Sequence, residues 1–226
     1  MKNTATFRRG AAAVGLVTTA LLTIPLFVFS PEFPGGFAER LAAIDAAGTQ
    51  GEISAFTFVL AQLPFIAGVL GIGHLLRERA PVLSNLGTSL AVIGGFGHSV
   101  AGGISLVYLS MAADTPNRPV HAAVMESVES GPAVAFMTMG LLGTVLGILL
   151  IAIGLWRAKV GPRWIGPVLG AFLVVEFVGS AVSEWAMPAS AVLYVAAFLA
   201  LAVTIWRSPV QDWTSRTVAP TPNIAG

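Results

Sequence analysis

The chain has 226 residues, a mean hydropathy of +0.83 and only 10% charged residues. Soluble domains average about 25% charged residues, so this composition cannot cover a water-facing surface and suits a lipid-facing one. The net charge of +1 excludes the basic footprint of a nucleic-acid binder, and the absence of cysteine excludes disulfides, thiolate catalysis and cysteine metal sites.

Apolar runs of about 20 residues cross the hydrocarbon core as helices, and the sequence predicts six. The first covers about Ala11 to Phe29, after the basic start "FRRG". Its apolar run is long and "FVFSPEF" lacks a small-residue cleavage site, so it reads as an uncleaved anchor. An outer segment follows, about residues 32–52, in which "GFAERLAAIDAAG" sets Phe37, Leu41 and Ile44 on one helical face. The second span covers about Ile53 to Leu76. Inside it Pro64 predicts a kink that frees the Leu60 carbonyl beside Gln62. The third covers about Val82 to Met111 and contains "GGFGHSVAGG". A second outer segment, about residues 112–131, includes "PVHAAVMESVESG", also helical in pattern; both outer segments read as helices lying on the membrane surface. The fourth span covers about Ala133 to Trp156, the fifth Trp164 to Trp185 and the sixth Ala189 to Trp206, the last two separated at "EWAMPAS". The fold class is therefore all-α, a polytopic transmembrane bundle over residues 1–207. The polar stretch 208–226 reads as a disordered tail.

Charge placement orients the spans. With the N-terminus in the cytoplasm, Lys2, Arg8, Arg9, Arg77, Arg79, Arg157, Lys159, Arg163, Arg207 and Arg216 all fall inside, and only Arg40 and Arg118 fall outside. The outer loops hold Glu32, Glu39, Asp45, Glu52, Asp114, Glu126, Glu129 and Glu184 instead. This is the positive-inside pattern, and it places both termini in the cytoplasm of a cell membrane. Trp156, Trp164 and Trp206 fall at the inner boundaries, where aromatic rings prefer to sit.

The turns "IGHLLRERAP" and "IGLWRAKVGP" share Ile, Gly and Pro at one spacing and join spans two to three and four to five. The order of span, outer amphipathic segment and hairpin, with "HLLRERAPVLSNLG" and "GLWRAKVGPRWIGPVLGAFLVVEFVGS", resembles a family of small bacterial six-span membrane proteins grouped under a domain of unknown function. The resemblance lies in layout and turn motifs, and it implies a fold and a membrane location, not a chemistry.

Two ionisable side chains lie within the spans, His98 and Glu176. Such residues are costly in lipid and usually face the bundle interior. At about 1.5 Å per residue, His98 stands roughly 22 Å up its helix, Glu176 roughly 18 Å and Gln62 roughly 21 Å. One polar layer is expected, with His98 paired to Glu176 and Gln62 near, opening outward past Ser180 and Ser183. Met111, Met125, Met137, Met139 and Met187 cluster toward the outer half, as packing or as an adaptable lining. Small residues let membrane helices approach closely, so Gly94, Gly95, Ser99, Gly102 and Gly103 in span three, and Gly143 and Gly147 in span four, are expected packing positions. His74 reads as interfacial and His121 as a loop histidine. Histidines facing each other at one depth, as a haem would need, are missing, and no metal cluster or cofactor motif is read.

Three functions fit these residues. One is an outward-opening pocket that binds or transports a small or lipid-like, hydrophobic molecule. Another is an accessory membrane subunit packing through its glycine faces against a second copy or a partner membrane protein. The third is an intramembrane enzyme using His98 and Glu176 as acid and base. Membrane lipid is a partner in all three.

Overall fold

The computed structural model describes residues 2–30 and 35–214. Among them the chain is helical with no strand, in seven α-helices. These are α1 (Lys2–Phe29), α2 (Phe37–Leu76), α3 (Pro81–Ala113), α4 (Arg118–Ser130), α5 (Ala133–Ala158), α6 (Ile165–Phe177) and α7 (Ala186–Arg207). The helices α1, α2, α3, α5 and α7 are long and apolar enough to cross a membrane. Their outward surfaces carry exposed Val14, Leu21, Leu63, Val107 and Val192, the arrangement that lipid requires.

Two sequence expectations are corrected. The fifth span, expected to continue to Trp185, is a 13-residue helix that ends at Phe177, about 20 Å long. A short 3-10 turn, Gly179–Ala181, follows it. Glycine and serine at 179 and 180 contribute little packing to hold a further helical turn. The tail, expected to be disordered from Ser208, is folded through residue 214. Trp213 is buried, stacks on the His74 ring with centroids 4.4 Å apart and donates its indole N–H to Ser208 Oγ at 2.8 Å. An apolar ring with one donor thus anchors a polar stretch. The remainder of that expectation, with Glu32 and Arg216, lies outside the described residues.

The predicted amphipathic outer segments are both helical. The first is continuous with span two, and the backbone of α2 leaves helical geometry at Gly48 (φ 50, ψ −136), whereas Pro64 lies within the helix. That backbone conformation is open to glycine and strained for other residues. The arm before it folds back so that Leu41 and Ile44 meet Met125 of α4 and Tyr108 and Ala112 of α3 in a small apolar cluster separate from the main core.

The backbones of α3 and α5 approach closely along a row of glycines. A Cβ added to Gly94 would lie 2.3 Å from the Thr144 nitrogen, one on Gly97 2.3 Å from the Gly140 nitrogen, one on Gly143 2.7 Å from the Gly94 nitrogen, and one on Gly147 2.4 Å from the Ala91 nitrogen. Gly94, Gly143 and Gly147 lie along this approach, together with Gly97 and Gly140. Gly95 and Gly102 instead face α2, against Ile66 and Val59. Ser99 turns back to its own helix and donates to the Gly95 carbonyl at 2.8 Å. Gly103 was expected in a close contact, but nothing lies within 4 Å of its added Cβ; one residue on from Gly102, it is turned about 100° around α3, away from the face that meets α2.

The seam gives a direct test. Gly97→Ala is expected to lower the melting temperature of the purified protein, since overpacking costs about 1–3 kcal/mol. Gly103→Ala is expected to leave it unchanged or raise it slightly, because alanine is the better helix former by about 1 kcal/mol. Equal effects of the two changes would contradict the seam.

Candidate functional site

Gln62, His98 and Glu176 come from α2, α3 and α6 and line one cavity of about 190 Å³. The polar layer read from helix depth is therefore a spatial cluster. Thr19 and Thr23 of α1, Thr144 of α5 and Tyr194 of α7 complete the lining with Phe58, Phe65 and Phe172.

The pairing inside the layer differs from expectation. Glu176 is bonded by the hydroxyl of Ser190 on α7, which also contacts the Met187 carbonyl. His98 is not its partner. The two residues stand on helices that approach the cavity from different sides, and Ser190, fully buried on the helix next to α6, reaches the carboxyl first. Gln62 donates from Nε2 to the Phe58 carbonyl of its own helix at 2.8 Å, so the amide is held by α2 itself and not by a carbonyl freed at Pro64. The His98 ring meets the edge of Phe58, centroids 5.4 Å apart at 80°. Among the described residues neither ring nitrogen of His98 has a hydrogen-bond partner, and the buried Thr144 hydroxyl has none either. Orphaned polar groups at this depth call for water or a ligand.

Ser180 and Ser183 do not line the cavity. Helical spacing placed them on the Glu176 face, but α6 stops at Phe177. Ser180 donates to the Glu176 carbonyl and Ser183 Oγ accepts from the Trp185 N–H at 3.3 Å; both are exposed.

A second cavity of about 330 Å³ lies under the arm of α2 and under α4, bordered by Arg40, Ser54, Tyr108, Met125, Glu129 and Met137. Phe58 and Leu26 border both cavities, so the Phe58 ring is part of the wall between them. Ion pairs fasten the cover. Arg40 forks onto Glu129 with bonds of 2.8 and 2.9 Å, and Arg118 reaches Asp45 at 2.8 Å. The two arginines expected on the acidic side are thus each matched to a carboxylate, Arg40 in the bidentate geometry that makes such pairs strong. Met125 and Met137 do line a cavity; Met187 offers only its carbonyl to Ser190.

At the opposite end His74 donates from Nε2 to the Asp212 carbonyl at 2.7 Å. A carbonyl only accepts, which fixes that tautomer and leaves Nδ1 to accept from Arg77 at 3.0 Å. His74 is therefore a structural contact of the folded tail. Among the described residues no group of three histidine or carboxylate side chains is placed to hold a metal ion.

Sequence reading missed Thr19, Thr23, Thr144, Ser190 and Phe58. The four hydroxyl residues were visible as polar positions in apolar spans, and depth counting would have put Ser190 near the layer; the role of Phe58 carried no sequence signal. Comparison with family models, with curated proteins and with solved structures finds no match.

The α3–α4 connection yields a pH prediction. His121 Nε2 lies 2.9 Å from Asp114 Oδ2 and the Asn117 amide donates to the same carboxylate at 3.0 and 3.2 Å. The hydrogen bond to His121, then those from Asn117, hold the Asp114 carboxyl below its ordinary value. A depressed carboxyl stabilises the fold above its unfolded pKa, and that contribution is lost as pH falls through the folded one. In an NMR titration His121→Ala is expected to move the Asp114 midpoint upward; an unmoved midpoint would refute the assignment.

Proposed function

We propose that this chain is an integral membrane protein that holds a small amphipathic molecule, its polar end in the cavity of Gln62, His98, Thr144 and Glu176 and its apolar part beneath the α2–α4 cover. The observation that carries the reading is the convergence of these polar side chains from four helices on one cavity while His98 and Thr144 lack protein partners. The inner cavity alone is smaller than the usual ~300–1,000 Å³ of ligand pockets, whereas the two cavities joined past Phe58 fall within that range. Entry or exit is from the acidic end, through displacement of the Phe58 ring, which makes transport an extension of binding. Packing against a partner through glycine faces is the weaker reading, because Gly94, Gly97, Gly140, Gly143 and Gly147 are occupied within the α3–α5 seam. Acid–base catalysis by a His98–Glu176 pair lacks support where Glu176 bonds Ser190.

The test is extraction of the purified protein for retained small molecules by native mass spectrometry. His98→Ala and Thr144→Val are expected to lose the retained molecule with the melting temperature unchanged. A drop in stability with retention unaffected would identify the layer as internal glue and overturn the binding reading.

We further propose that α6, together with the turn after it, completes a sixth crossing, with both termini cytoplasmic, the layout expected from the order and charge of the apolar runs. The support is connectivity. The α1 start, the α2–α3 and α5–α6 turns and the α7 end share one basic end of the bundle, where Arg9 donates to the Ser208 carbonyl at 2.9 Å. Reporter fusions after Gly226 and at Asn117 are expected to fall on opposite sides of the membrane. Both on the same side would refute this topology.

A further inference from the structure

The basic end contains a cavity of about 740 Å³ that the proposed binding function does not use. Its border includes Arg77 and Arg79 from the turn after α2, Gly161 and Pro162 from the turn after α5, and Arg207 at the end of α7. The folded tail closes one side through Ser208, Pro209 and Asp212. Three guanidinium groups from two separate segments therefore surround one space.

Their occupancy differs. Arg77 is engaged, donating to His74 Nδ1 and to the Asp212 carbonyl, with Glu78 at 3.9 Å. The guanidinium groups of Arg79 and Arg207 have no hydrogen bond or ion pair among the described residues. The carboxylates of Glu78 and Asp212 also border the cavity, but Arg8, Arg9, Arg157, Lys159 and Arg163 belong to the same end of the bundle, so the surrounding potential is positive. The wall toward the membrane is apolar, made by Leu75 of α2 and Leu199 and Val203 of α7.

Planar guanidinium groups with unused donors suit the oxygens of a phosphate. An apolar wall beside them suits what a phosphate is attached to in a membrane. We propose that this cavity binds a phosphate anion, delivered as the headgroup of an anionic phospholipid or as a soluble phosphate. The site rests on arginines at the basic end and is independent of the ligand proposed for the His98 cavity.

The experiment uses the full chain in nanodiscs of phosphatidylcholine alone, with and without inorganic phosphate, and in nanodiscs that also contain phosphatidylglycerol. Thermal unfolding reports stabilisation, and native mass spectrometry counts retained phosphatidylglycerol. Arg79→Gln and Arg207→Gln remove exposed, unpartnered charges, so the fold is expected to persist, checked by melting in phosphatidylcholine. Each is expected to weaken binding about five-fold, the effect of one basic residue near an anionic surface. Arg163→Gln, at the same end but outside the cavity, is expected to change binding little. Stabilisation by inorganic phosphate identifies a soluble anion as sufficient; stabilisation by phosphatidylglycerol alone identifies a lipid headgroup. No response to either probe overturns the proposal, as does a loss in Arg163→Gln equal to that in the cavity variants.

Discussion

The α3–α5 seam is the constraint on which the rest of the bundle depends. Helices in lipid gain nothing from hiding apolar side chains, so association rests on close packing and on hydrogen bonds. Glycines on both helices bring the two backbones into contact along several turns, from Gly147 against Ala91 to Gly140 against Gly97. At the end of this run stands His98, and a Cβ on Gly140 would lie 3.2 Å from its Nδ1. The same absence of side chains that binds the helices thus makes the space in which the imidazole sits. The glycine run and the histidine within it are one device.

Around the seam the charges sort to two ends and do different work there. At the acidic end, carboxylates and two arginines pair with one another and hold the arm of α2 onto α4. The cover is tied by ion pairs and by a small apolar cluster of its own, apart from the main core. A cover with few core contacts and a glycine bend at its root belongs to the less stable part of a fold. At the basic end the acids are few, and arginines are left with donors to spare. There the tail folds back, its Trp213 stacked on His74.

The two cavities between these ends differ in character. The inner one gathers hydroxyls, an amide, a carboxyl and an imidazole deep in an apolar bundle, where unsatisfied polar groups are costly. Glu176 and Gln62 find protein partners in Ser190 and the Phe58 carbonyl. His98 and Thr144 do not. The residues that are satisfied shape the space, and those that are not leave an imidazole and a hydroxyl facing it without protein partners.

Composition and hydrophobic run length determined the fold class, because lipid demands long apolar helices whatever their neighbours. Charge placement determined which connections share an end, since that sorting needs only the order of the spans. Helix depth determined that Gln62, His98 and Glu176 lie at one level. Rotation about the helix axes and the choice of neighbour were decided by tertiary structure. Depth put Glu176 level with His98, but the placement of α7 beside α6 gave the carboxyl to Ser190. Helical spacing put Ser180 and Ser183 on the Glu176 face, but α6 ended first. The break at Gly48 was likewise settled by contact, since the arm of α2 turns there to bury Leu41 and Ile44 against Met125. The tail's polar composition concealed one tryptophan whose burial depended on a surface that no local stretch of sequence describes.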